Sequence, residues 1–210
     1  MAEITVVHLL RHGEVHNPDH ILYGRIPGYH LSANGRLMAA AAADYFDGRP
    51  VAALFASPLE RAQETALPVA ERLGLTITTD DRLIESENVL EGKSVSLASL
   101  GLNPLNWRYL WNPFQPSWGE PYTQVAGRVR QVIDRARDAS RGKEAVCVSH
   151  QLPIWVSRLA VEHRPLWHNP SSRQCALGSV TSLTFDGDQL TGVTYAVPPR
   201  QQVADADRAQ

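Results

Sequence analysis

The chain has 210 residues, with 20 Lys and Arg against 22 Asp and Glu and a formal charge of −2. That length suits one domain with a well-buried core, and the near balance of charge excludes a broad basic surface for nucleic acid or an anionic membrane. Any anion site must therefore be local. The first residues have no basic flank followed by a long apolar stretch, so neither a signal peptide nor a membrane anchor is expected. Two cysteines, Cys147 and Cys175, in a chain of this size call for no disulfide, and a cytoplasmic location is the expectation.

In chain order, the β-branched run Ile4 to Leu10 reads as an interior strand, and the alanine-rich segment from Ser32 to Phe46 as a helix. A second strand is expected over Val51 to Ala56. It is followed by Ser57-Pro58-Leu59-Glu60, where an N-cap serine, a proline at the first helical position and a glutamate three residues after the cap predict a helix to about Leu73. Residues 84 to 121 and 163 to 175, the latter with Arg164, His168 and Arg173, read as loops or short helices over one sheet edge. Between them, Val125, Val129, Val132, Ile133 and Ala136 form an apolar stripe at helical spacing, and Ala145 to Ser149 reads as another buried strand. Val180 to Phe185 and Leu190 to Ala196 pair across Asp186-Gly187-Asp188. The alternation predicts an α/β fold, a three-layer αβα sandwich with a mostly parallel central sheet. It forms a single domain over residues 1–197, with 198–210 as a frayed tail.

The first strand ends in Arg11-His12-Gly13 and the later one in Ser149-His150, which brings two histidines to one edge of the sheet. In such sheets ligands collect beyond the carboxyl ends of the strands. Arg61 lies about one turn into the helix after Ser57, where free N–H groups and the helix dipole favour anions. Its planar fork matches phosphate oxygens. The other histidines (His8, His16, His20, His30, His163 and His168) are read as surface or hydrogen-bonded structural residues, and Cys147 and the tryptophans as packing.

Several segments, in order, resemble the histidine phosphatase superfamily, also called phosphoglycerate mutase-like. They are Leu9 to Glu14, Leu31 to Gly35, Ser57 to Ala66, Leu83-Ile84-Glu85, Glu91-Gly92, Gly119-Glu120 and Val148-Ser149-His150. The resemblance runs from residue 4 to about 185. It implies a metal-independent phosphatase without cofactor, acting on a small-molecule phosphate monoester through a phosphohistidine on His12. Glu85 would be the proton donor, Arg11, Arg61 and His150 would surround the phosphoryl oxygens, and Asn17 would bind phosphate. Glu85 then needs a raised pKa, to which partial burial and Glu87 or Glu91 would contribute. Gly24, Arg25 and Gln151 are further candidate substrate contacts.

The chain departs from the mutase pattern. Ser86, Glu87 and Asn88 follow Glu85 where mutases carry an arginine and then a tyrosine. Only Arg108 stands where mutases have an arginine pair, and Tyr23 precedes Gly24 in place of a small hydroxyl residue. Gln151 replaces the usual glycine after the second histidine, and the Asn17 register is one residue short of the pattern. Hydrolysis is favoured over mutase-type phosphoryl transfer, and a non-catalytic phospho-ligand or protein-binding module is the alternative of another class. The aromatic segment Trp107 to Tyr122 either walls a pocket or packs a long loop.

Overall fold

A computed structural model describes residues 3–88, 91–92 and 119–199 of the chain. Its six-stranded sheet has the order β3-β2-β4-β1-β5-β6. The strands are β1 (Ile4–Arg11), β2 (Val51–Ala56), β3 (Ile77–Thr79), β4 (Glu144–Ser149), β5 (Val180–Asp186) and β6 (Gln189–Ala196). β1, β2, β3 and β4 run parallel, while β5 pairs antiparallel with both β1 and β6. Parallel strands covered on both faces need continuous apolar runs. Leu9, Leu10, Val146, Cys147 and Val148 supply them, all essentially without exposure.

Helices α1 (Ala33–Phe46) and α2 (Glu60–Leu73) cover one face, while α3 (Tyr122–Ala139) and α4 (Gln151–Val161) cover the other. The stripe anticipated from Val125 to Ala136 is the buried face of α3. Ala42 and Ala43 of α1 and Ala62 and Ala66 of α2 join one core cluster, so small side chains let these helices lie close to each other and to the sheet. Ser32 caps α1 by accepting the Gly35 N–H at 2.9 Å. The hairpin turn is where the sequence places it, with Gly187 in the left-handed region at φ 57°.

His8 is fully buried, as a structural residue. Its ring lies 2.8 Å from Ser182 Oγ and 2.9 Å from Glu144 Oε2, and Glu144 also accepts from Arg49 Nε at 2.7 Å. Both cysteines are free and buried. Among the described residues no helix is long and apolar enough to cross a membrane. The segment of Trp107 to Trp118 and most of the tail expected at 198–210 lie outside the described residues.

Candidate active site

The register of three adjacent parallel strands builds the site. Leu10 of β1 and Ala56 of β2 both pair with Val148 of β4, so β2, β4 and β1 end side by side. The residues just beyond those ends are Ser57, His150 and His12. Main-chain bonds lock them in place, from His12 N–H to Ser149 O at 3.0 Å and from Ser57 N–H to Val148 O at 3.0 Å.

His12 Nδ1 lies 2.7 Å from the Gly13 carbonyl. A carbonyl only accepts, so Nδ1 carries the proton and Nε2 keeps its lone pair. Burial above all, then the Arg61 and Arg11 charges, holds this imidazole well below the usual histidine range, and the ring is neutral at physiological pH. Gly13 is required by close approach, because a Cβ there would sit 2.5 Å from the Gly35 carbonyl oxygen in the first turn of α1. Its N–H donates to Thr65 Oγ1 at 3.0 Å, and the Thr65 hydroxyl donates to the Arg61 carbonyl at 2.6 Å.

The second ring, His150, has its centroid 5.0 Å from that of His12. Its Nε2 lies 2.7 Å from Ser57 Oγ, which also receives the Leu59 N–H at 3.4 Å. The buried Ser57 hydroxyl proton needs an acceptor, and Nε2 is the one in reach, which leaves the ring proton on Nδ1. Ser57 is thus not the helix cap anticipated from its Ser-Pro-x-Glu pattern. The N-cap position of α2 is Leu59, without a side-chain cap bond. The serine sits at the strand end, where its hydroxyl is taken by the imidazole.

Arg61 is fully buried. Its guanidinium lies 4.8 Å above the Tyr23 ring, and one terminal nitrogen donates to the Gly24 carbonyl at 2.6 Å. Arg11 Nη1 donates to the Cys175 carbonyl at 2.6 Å. Of the buried nitrogens without a partner among the described residues, four belong to Arg11, Arg61 and His150: Arg11 Nε, Arg61 Nε, Arg61 Nη1 and His150 Nδ1; the fifth is Trp155 Nε1 on α4. Each orphaned buried donor costs about 1–3 kcal/mol, more where the group is charged. Such a cluster persists where an acceptor-rich anion can satisfy it.

Glu85 stands on the wall of the same cavity, which measures about 290 Å³ and also takes in Arg11 and His12. Its carboxylate accepts the Ser86 N–H at 2.9 Å. Burial raises its pKa, against the pull of the Ser86 amide and of Arg61, Arg11 and Arg173. Desolvation is therefore the leading cause, and the anticipated carboxylates Glu87 and Glu91 are not among the main ones. Among the described residues no group of three or more His, Cys, Asp or Glu is placed to hold a metal ion.

The remaining candidates divide. Gly24 and Gln151 line the cavity. The Asn17 amide closes a loop, donating to the Ile21 carbonyl at 2.8 Å and accepting the Ile21 N–H at 3.0 Å. Arg25 is no pocket contact. Its three nitrogens donate to the Glu85 carbonyl, Glu87 and Glu120, and it faces the neighbouring groove. Opposite-charge neighbours more than sixty residues away captured it, which local sequence does not reveal. Thr65, Tyr23 as the shelf beneath Arg61, and Arg173 on the cavity wall were not singled out as site residues. The Arg-Ala-x-x-Thr-Ala spacing, which puts Thr65 one turn after Arg61, was the available signal for the first.

The match to the histidine phosphatase superfamily (branch 1) extends over residues 7–198. The chain belongs to this superfamily. A relative of this histidine phosphatase, the uncharacterized protein Rv0525 of Mycobacterium tuberculosis, is 54% identical over 199 residues, covering 94% of this chain and 98% of the relative. The glucosyl-3-phosphoglycerate phosphatase of the same species is 30% identical over 131 residues, 60% of this chain and 57% of the relative. Among solved structures, YhfR of Bacillus stearothermophilus superposes with a TM-score of 0.77 at 26% identity, covering 89% of this chain and 94% of that one. A mycobacterial glucosyl-3-phosphoglycerate phosphatase, Rv2419c, does so with a TM-score of 0.75 at 25% identity, covering 92% and 98%.

Proposed function

We propose that this histidine phosphatase hydrolyses a small-molecule phosphate monoester, without metal, through a phosphohistidine on His12. The observation that carries the reading is the set of unpartnered nitrogens of Arg11, Arg61 and His150 gathered around a neutral His12. His12 Nε2 attacks phosphorus in line with the ester oxygen; the N–P bond forms as the P–O bond breaks. Glu85, whose pKa is raised by burial, gives its proton to the departing oxygen. The resulting carboxylate then takes a proton from water as that water attacks the phosphohistidine, releasing inorganic phosphate and restoring both groups. Arg11, Arg61 and the His150 Nδ1–H hold the equatorial oxygens, supplying the positive charge that Mg²⁺ gives in other phosphoryl transfers.

Phosphatase relatives support hydrolysis over phosphoryl exchange, as does the wall formed by Ser86, Glu87 and Asn88 in place of the mutases' arginine and tyrosine. The test is turnover of p-nitrophenyl phosphate in the presence of EDTA, with trapping of the phosphoenzyme from labelled substrate by an alkaline denaturing quench. Chelator-resistant hydrolysis is expected, together with an acid-labile, base-stable adduct, and both vanish in His12→Ala. Full activity of His12→Ala would refute the mechanism. Exchange between 3- and 2-phosphoglycerate would instead identify a mutase, and neither activity would leave a binding module.

A further inference from the structure

The cavity has more positive charge than the phosphoryl group needs, and the surplus has an address. Among the described residues five arginines lie at or beside it. Arg11 and Arg61 act on His12 and on His150. Arg25 and Arg128 are neutralised, sharing Glu120 at 2.9 to 3.0 Å, with Glu87 a further partner of Arg25 at 2.7 Å. The fifth, Arg173, is on the cavity wall, and its hydrogen-bond partners among the described residues are neutral, with the Glu85 carboxyl acting on it through charge alone. Its Nε donates to His168 Nε2 at 2.8 Å and its Nη1 to Gln151 Oε1 at 3.3 Å, with Tyr122 as a further side-chain partner.

This mounting is built. His168 Nδ1 lies 2.7 Å from the Leu166 carbonyl, so Nδ1 bears the proton and Nε2 is free to accept from Arg173. The imidazole also packs against Tyr122, with ring centroids 5.4 Å apart, and against Trp155 at 6.0 Å. A partly buried guanidinium oriented by a neutral imidazole, an amide and a phenol keeps its full charge, whereas the ordinary use of an arginine at such depth is to meet a carboxylate. The position also differs from that of the phosphoryl cradle. The charge of Arg173 acts on Glu85, after those of Arg61 and Arg11, whereas the leading charges on His12 are those of Arg61 and Arg11. The wall also carries the apolar side chains of Leu22, Leu152 and Pro170.

We propose that Arg173 binds a carboxylate carried by the organic part of the substrate, and so selects acidic phosphate monoesters over neutral ones. The inference rests on the phosphatase reading above and adds its substrate class. One guanidinium balances one carboxylate. A second phosphate would bring two charges to a wall that already bears Glu87 and Glu120.

The test uses matched pairs, 3- and 4-carboxyphenyl phosphate against the corresponding carboxamides, which keep shape and remove the charge. The wild-type enzyme is expected to favour at least one acid over its amide by about tenfold or more in kcat/KM, mainly through KM. Arg173→Gln is expected to bring that ratio to about one, and Arg173→Lys to keep part of it. Equal turnover of acid and amide by the wild type, or an acid preference that survives in Arg173→Gln, overturns the proposal while leaving the phosphatase intact. Preference for 1,4-phenylene bisphosphate over both acids overturns the carboxylate assignment. If none of the esters is hydrolysed, the phosphatase reading falls and this inference with it.

Discussion

Thr65 offers the sharpest test of how the proposed nucleophile His12 is held, because one hydroxyl joins the His12-Gly13 segment to the helix that bears Arg61. Thr65→Val preserves shape but removes both bonds, the 3.0 Å acceptor for Gly13 N–H and the 2.6 Å donor to the Arg61 carbonyl. The two losses are unequal. The Arg61 carbonyl keeps its helical N–H partner, whereas the Gly13 amide is left buried with no acceptor, a penalty of about 1–3 kcal/mol. For a domain of this size about 2–4 °C of melting temperature accompanies each kcal/mol, so a fall of roughly 2–12 °C is expected. Gly13 also supplies the carbonyl that orients the His12 ring. Freeing its peptide plane should lower kcat for p-nitrophenyl phosphate by about 10- to 100-fold, the scale of a reacting group misplaced by an ångström. Thr65→Ser, which keeps the hydroxyl, should recover most of both losses. Calorimetry and steady-state kinetics on the three proteins decide the matter. A Thr65→Val enzyme that melts like wild type and turns over within twofold of it would refute the argument.

Ser57→Ala should leave His150 without its 2.7 Å anchor and free to exchange tautomers, costing about 1–2 kcal/mol of stability and about tenfold or more in kcat; a ring that keeps its wild-type tautomer in nitrogen NMR would contradict this. Glu85→Gln should slow alkyl phosphates far more than p-nitrophenyl phosphate, whose leaving group needs little protonation. The sign of its pH dependence follows from the raised pKa: wild-type activity is present below it and lost as pH rises through it, and this alkaline limb should be missing from the pH–rate profile of the variant. Glu144, held by His8 and Arg49, has its pKa pulled down to about 2. A depressed carboxylate stabilises the fold above its unfolded pKa and loses that contribution as pH falls through the folded one. Up to about 3 kcal/mol should therefore disappear between about pH 5 and pH 2, and urea titrations of Glu144→Gln should show a much flatter dependence there.

The layers were legible because buried parallel strands must be continuous apolar runs, and the α3 stripe because one face of a helix must be apolar. Placing His12 and His150 together needed only that both follow strands, since parallel strands deliver their ends to one edge. Ser57 was misread because a strand-end serine before proline has the same local signature as a cap, and only β4 running beside β2 gives its hydroxyl another partner. The partners of Asn17 and Arg25 were not legible, because a turn five residues long engages one and acids distant in sequence engage the other. Arg173 reaches the cavity through a loop whose path is set by His168 and Gln151, a tertiary arrangement without a local pattern.

His12, His150 and Ser57 follow three strands fixed in register, whereas much of the remaining wall of the cavity comes from chain segments between the elements, at Leu22 to Gly24, Ser86 to Asn88 and Pro170 and Arg173. Reactivity and selectivity are thus separable for anyone redesigning this molecule. Exchanging a connecting segment should retune which ester enters without disturbing bond cleavage, and the stretch ending at Arg173 is the natural place to begin.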